Sequence, residues 1–177
     1  IFGVGEQLYR SRPVRYVSYM LDYWLWGLNP GGYHAANILY HGMAGFILYL
    51  VLFELLGKRG AAAAGALLYL SHPVLTDSVA YISGRRDVLM GLFYLLSFYC
   101  FVRYRKEPRW WKAVLTGIFF LLALGSKEMG ITLPAMCLLY DFTESFTGQR
   151  NHATGKILER IRFAAKDVVT KKWKVYL

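Results

Sequence analysis

Residues 33–56, YHAANILYHGMAGFILYLVLFELL, decide the fold. The run has 24 residues, a single formal charge at Glu54, and ends at Gly57-Lys58-Arg59-Gly60. As a helix it would be about 36 Å long, and the hydrocarbon core of a bilayer is about 30 Å thick. Glu54 sits one helical turn before Lys58, and an i,i+4 pair would make a charge near the helix end tolerable. Four more apolar runs follow, at 61–70, 88–102, 113–125 and 129–142, the last interrupted by Pro134. The composition agrees. Of the 177 residues 56% are hydrophobic and 18% charged, with a mean hydropathy of +0.31. Soluble domains average about 45–50% apolar and about 25% charged. We therefore expect an all-α, polytopic membrane protein with about five transmembrane or re-entrant helices. The runs at 61–70, 113–125 and 129–142 are short for single crossings, and 61–70 opens on four alanines suited to close helix packing.

Charge predicts sidedness. With five spans, fifteen of the 21 basic residues fall on one face: Lys58 and Arg59, the 103–112 loop, and the tail from Arg150. The basic side is expected to be cytosolic. The net charge of +10 is thereby explained without nucleic acid, and no nucleic-acid motif is present. Cys100 and Cys137 lie in separate apolar runs and read as buried thiols. Trp110 and Trp111 read as an interfacial anchor. The chain opens on Ile1 rather than Met and shows no signal segment, so its true N-terminus is expected upstream.

Two amphipathic stretches flank the bundle. In 14–28, Val14, Val17, Leu21, Trp24 and Leu28 form an apolar stripe opposite Arg15, Ser18 and Asp22, as in a helix lying in the membrane interface. Asn29-Pro30 then reads as a cap and first turn. The stretch 156–176 has seven basic and two acidic residues and reads as a surface helix or a linker. The expected organisation is a non-cytosolic interfacial segment at 1–32, a transmembrane core at 33–142 and a basic cytosolic segment at 143–177.

Polar residues collect on the non-cytosolic side of this arrangement. Arg12 precedes the first span, and His34, Asn37 and His41 open it. His72 and Asp77 follow the second. Arg85 and Asp87 precede the third, and Lys127 and Glu128 join the last two. Ionisable residues at a membrane are costly, and a cavity for an anionic lipid headgroup and a polar acceptor would account for them. Arg binds phosphate through a bidentate fork and Lys as a point charge. His34, Asn37 and His41 share one helix face, but no carboxylate or cysteine completes a ligand set. Interhelical hydrogen bonding is expected of them, and no metal. Asp77 also fits a capping role, Ser83-Gly84 a tight turn, and Lys127-Glu128 a salt-bridged loop. No GxSxG, HExxH, Walker A or dinucleotide motif is present.

Six segments in order make a more specific pattern: YRSRP at 9–13, LWGLNP at 25–30, GYHAANILYH at 32–41, SHPVLTDSVAY at 71–81, ISGRRDVL at 82–89 and LGSKEMGITLP at 124–134. The pattern resembles the membrane part of the transmembrane and tetratricopeptide-repeat-containing proteins, whose animal members are O-mannosyltransferases. The resemblance covers about residues 9–142. It implies a GT-C-like fold and a sugar, mannose-like, passed from a polyprenyl-phosphate carrier to a hydroxyl acceptor, a protein among them, on the non-cytosolic face. That family usually reads His-Pro-Val-His-Thr-Glu where this chain has Leu75 and Asp77 in place of the second His and the Glu. The resemblance also implies a catalytic acid pair upstream of Ile1 and repeats downstream. Within this chain it leaves Arg85 and Lys127, then Arg12 and His72, for the lipid phosphate, and Asp77 for positioning. The lipid-linked sugar is a substrate, and no cofactor is implied. The compartment would be a bacterial inner membrane or the endoplasmic reticulum. The alternatives are a non-catalytic membrane scaffold and a transporter, though no repeated half of the transporter kind is visible.

Overall fold

The computed structural model describes residues 12–148 and Lys166. The expected tail helix at 156–176 and the YRS of the first motif lie outside these residues, apart from Lys166. The described chain is helical and divides after Ile131 into two units. The first unit holds α1 (Pro13–Trp26), α2 (Pro30–Leu56), α3 (Arg59–Leu70), the short α4 (Thr76–Ala80), α5 (Arg85–Lys106) and α6 (Trp110–Ser126). Single 3₁₀ turns at Pro73–Leu75 and Ile82–Gly84 flank α4. A further 3₁₀ segment, Glu128–Thr132, follows α6, and α7 (Leu133–Gly148) belongs to the second unit.

Among the described residues, two helices are long and apolar enough to cross a membrane: Pro30–Leu56, and Ile82–Lys106, which includes α5. α6, at 17 residues, is shorter. The start of α2 follows the sequence expectation. Asn29 Oδ1 accepts from the Gly31 N–H at 3.0 Å, and Pro30 fills the first turn, where its missing N–H costs nothing. The 129–142 run is broken next to Pro134, as expected: a 3₁₀ segment ends at Thr132 and α7 starts at Leu133. Pro134 is the second residue of α7, where its missing N–H again costs nothing.

α2 and α5 run parallel, and polar clamps join them at both ends. At one end the Arg85 Nε–H donates to Asn37 Oδ1 at 2.7 Å. At the other, Glu54 accepts from Arg103 at 2.8 Å and Lys106 at 2.7 Å. The expected Glu54–Lys58 pair is not the one formed. Gly57 leaves the helix with φ 66°, so Lys58 is not one turn further along the same surface. The clamps lie 17 residues apart on α2 and 18 on α5, about 26 Å of helix rise, close to the thickness of a hydrocarbon core. Between them the buried side chains are mostly apolar, among them Ala44, Val51, Leu92, Phe98 and Phe101.

α3 packs along α2 through small residues. Leu70 seats on Gly45 and Leu52 on Gly65, where a Cβ would come within 2.5 and 2.6 Å of the leucine methyls. α5 also pairs with α6, and buried Ser97 gives its proton to the Thr116 carbonyl at 2.7 Å. With 12 residues, α3 reaches only the level of Gly45. The chain covers the remaining distance to Arg85 with short turns and α4. Broken backbone of this kind is stable at membrane depth only where protein or a cavity receives it.

α1 turns its polar side inward. Ser18 and Asp22 are buried, while Leu21, Trp24 and Leu28 are exposed, Trp24 at 82%. From Val17 onward the stripe expected from the sequence thus faces away from the protein, while Val14 packs on Gly125. Gly27, φ 59°, ends the helix.

Gly84 is the tightest point of the turn before α5. A Cβ there would lie 2.5 Å from the Ser78 carbonyl oxygen and 2.8 Å from its Cα, both backbone atoms that cannot rotate away. Gly84→Ala should destabilise the folded protein by about 1–3 kcal/mol. Gly65→Ala meets only the movable end of Leu52 and should cost less. Thermal unfolding of both variants in detergent measures the difference.

Candidate functional site

The end of the bundle that holds Arg85 is organised by that residue. Its side chain has 0% exposure. The guanidinium forms an ion pair with Asp22 of α1, itself buried, and donates to Asn37 Oδ1, to the Tyr33 carbonyl at 2.9 Å and to the Ser18 carbonyl at 3.4 Å. Tyr19, Tyr33 and Tyr40 present their rings to it, Tyr19 at 4.7 Å from the ring centre. Asn37 completes the network by donating to the Val79 and Tyr81 carbonyls, both at 3.3 Å. Tyr19 donates to the Ile82 carbonyl at 2.7 Å, and burial pushes its phenol pKa up, which keeps the donated proton in place. Helices α1, α2 and α5 and the turns around α4 therefore meet on one cation.

Three adjoining cavities surround α4. One, of about 410 Å³, is lined by Asp77, Ser78, Tyr81, Ser83, Gly84, Arg86 and Asp87. Asp87 is paired with Lys127 and, at 3.4 Å, with Arg86. Beside Lys127, Glu128 accepts from Arg12 at 3.1 and 3.3 Å. A hydrogen bond from its own backbone N–H, reinforced by Arg12, holds the Glu128 carboxyl below the usual carboxylate range. The second cavity, about 660 Å³, is lined by aromatic rings of Tyr19, Tyr33 and Tyr81 together with His34. The third, about 260 Å³, gathers His34, His41 and His72. No cluster of three metal-ligating side chains occurs among the described residues.

A family model for dolichyl-phosphate-mannose-protein mannosyltransferases matches residues 30–158. The chain belongs to this family. Among curated proteins it is similar to the protein O-mannosyl-transferase Tmtc1 of Drosophila melanogaster, 37% identical over 131 residues, 73% of this chain and 15% of that protein. It is 33% identical to human TMTC1 over 160 residues, 84% of this chain and 18% of that protein. It is 32% identical to tmtc2 of Xenopus laevis over 135 residues, 73% of this chain and 16% of that protein. The resemblance to the transmembrane and tetratricopeptide-repeat-containing proteins is thus confirmed. The chain spans about one sixth of the length of these relatives. No solved structure matches it significantly.

Within this mannosyltransferase family member, the residues singled out by sequence separate into groups. Asp77 and Asp87, ten residues apart and without any required proximity in sequence, line one cavity, with Lys127 reaching it through Asp87. His34, His41 and His72 line another, and Asn37 leaves its two histidine neighbours for the Arg85 network. Lys127 and Glu128 are not a mutual pair but hold Asp87 and Arg12 separately. Arg85 stands apart from these groups. Expected to bind a lipid phosphate, it is enclosed, and its donors are taken by Asp22, Asn37 and backbone carbonyls. Asp22, its counter-ion, was read only as part of a polar face. An acid in an otherwise apolar aromatic helix is the signal that could have marked it.

Removing one partner of a buried ion pair leaves an uncompensated charge and costs about 3–5 kcal/mol, whereas replacing both with apolar residues is far milder. Arg85→Ala and Asp22→Ala should each unfold the protein at markedly lower temperature. The double variant Arg85→Met with Asp22→Leu should recover much of the loss. Thermal unfolding in detergent checks the non-additivity.

Proposed function

We propose that this chain is part of the membrane core of a GT-C-like glycosyltransferase. It passes a mannose-like sugar from a polyprenyl-phosphate carrier to a protein hydroxyl on the non-cytosolic face. The observation that carries this reading is the cavity shared by Asp77, Arg86 and Asp87, with Lys127 bound to Asp87, in a chain of the mannosyltransferase family. Sugar transfer breaks the bond between the anomeric carbon and a phosphate oxygen, so charge develops on the departing phosphate. Preoriented cations at that point stabilise the transition state. Arg86 and Lys127 are of the required type, and Arg12 stands beside them on Glu128. The acceptor hydroxyl must be oriented and its proton taken, for which a carboxylate is suited. Asp77 is our candidate for orienting it, and His72 borders the neighbouring cavity.

In this reading α2 and α5 cross the membrane, α3, α6 and α7 complete about five crossing or re-entrant segments, and α1 lies at the interface. The Arg85 end is non-cytosolic and the Glu54 end cytosolic, in a multi-pass protein of a bacterial inner membrane or the endoplasmic reticulum. Supporting this are the basic loop at 103–112, the exposed Trp110, and Lys112, whose ammonium caps the Arg103 and Glu107 carbonyls at the end of α5.

In the full-length protein, Lys127→Ala should lower transfer from a polyprenyl-phosphate sugar by about 10²–10³, with Lys127→Arg in between and expression near normal. Full activity of Lys127→Ala would place the phosphate elsewhere. Topology is read separately. In a background without Cys100 and Cys137, a cysteine at Ser78 should react with an impermeant thiol reagent from the non-cytosolic side, and one at Lys106 should not. The opposite labelling would overturn the assignment of sides.

A further inference from the structure

We propose that the pocket of His34, His41 and His72 is a binding site for a hydroxyl-bearing, uncharged group: one sugar ring or one hydroxylated side chain. The argument begins with α3. Because it ends at Leu70, level with Gly45 and His41, the backbone from Ser71 to Ala80 breaks away through a 3₁₀ turn and the short α4 beside α2, and a pocket of about 260 Å³ opens there. Ile38, Leu70, Leu75 and Val79 supply apolar walls, and no Asp, Glu, Lys or Arg lines it.

Two of its three imidazoles and Ser71 have assignable roles. His41 Nε2 lies 3.3 Å from the Leu70 carbonyl oxygen. A carbonyl oxygen offers only lone pairs, so the proton resides on Nε2, and the neutral ring presents Nδ1 as an acceptor. The ring is further oriented against Tyr69, with centres 5.2 Å apart. His72 has the reverse arrangement. Its Nδ1 accepts from the Val74 N–H at 3.3 Å, so the neutral ring carries its proton on Nε2, as a donor. Ser71 gives its proton to the Leu67 carbonyl at 2.8 Å and keeps its lone pairs.

His41 and His72 thus give the pocket one imidazole acceptor and one imidazole donor. A hydroxyl both donates and accepts, and satisfies the two together. A phosphate would leave acceptors facing an anion, an ammonium group would find no carboxylate, and a purely apolar ligand would leave the ring nitrogens unpaired. The volume lies just below the usual range for drug-sized ligands, which suits a single ring or side chain. The identity of the natural ligand rests on the sugar-transfer reading. The hydroxyl belongs either to the transferred sugar or to the acceptor.

The test is direct binding to the full-length protein in detergent, followed by the upward shift of its unfolding temperature. Methyl mannoside, a threonine peptide amide, the same peptide with alanine, and inorganic phosphate are each titrated into the millimolar range. Saturable stabilisation by methyl mannoside assigns the pocket to the sugar, and by the threonine peptide alone to the acceptor. Either should weaken about tenfold in His72→Leu and return in His72→Gln, which keeps a donor. His72 is exposed, so the variant does not depend on core repacking. The proposal is overturned if neither hydroxyl ligand binds, if phosphate alone binds, or if His72→Leu leaves binding unchanged. Binding is measured without turnover. An inactive protein that still binds through His72 contradicts only the transfer reading, and an active one without such binding contradicts only this site.

Discussion

The ion pair of Arg85 and Asp22 is the constraint on which the rest of the site depends. Desolvating two charges costs several kcal/mol per ion unless the remaining donors and lone pairs are matched. Here the guanidinium donates to Asn37 and the Tyr33 and Ser18 carbonyls and lies over the face of Tyr19, with buried Asp22 as its counter-ion. Arg suits this role because its planar fork offers five donors in fixed directions and also stacks on rings. The consequence is geometric. Four segments far apart in sequence must adopt one arrangement to satisfy a single guanidinium, and the cavities around α4 inherit that arrangement.

The distance between clamps sets the scale. α2 and α5 are tied near their starts by Asn37 and Arg85 and near their ends by Glu54, Arg103 and Lys106, about one hydrocarbon thickness apart. Two parallel helices need a connection that returns the full distance. α3 covers only part of it, since its 12 residues are about 18 Å long. The remainder, from Ser71 to Gly84, is folded into turns. It is therefore the part of the chain whose backbone groups and polar side chains must be satisfied by cavities or by other side chains, and the chemically varied residues concentrate there.

Division of labour follows from burial. The most enclosed charge, Arg85, is held by Asp22, Asn37 and backbone carbonyls, whereas Arg86, Asp87, Lys127 and His72 remain at cavity walls or partly open to solvent. Membership of the mannosyltransferase family gives these cavities a chemical context. In the proposed reading, the cations beside one cavity suit an anionic carrier and the imidazoles of the next suit a hydroxyl-bearing group.

The sequence alone determined the class of fold and most helix positions. Runs of apolar residues report their environment directly, and caps such as Asn29-Pro30 and breakers such as Gly57 act within a few residues. Family membership was legible for a similar reason, because six short motifs keep their order and spacing along the chain. What only the tertiary structure decided was which of two adjacent arginines is enclosed. Arg85 and Arg86 are identical in type, and their roles differ only because neighbouring positions on a helix point about 100° apart, one towards Asp22 and the other towards the cavity. It also decided that Asp77 and Asp87 share a cavity, and that His72 joins His34 and His41. The turns that bring them together are set by the short reach of α3 and by the demand of a buried guanidinium for partners, neither of which has a local signature in the chain.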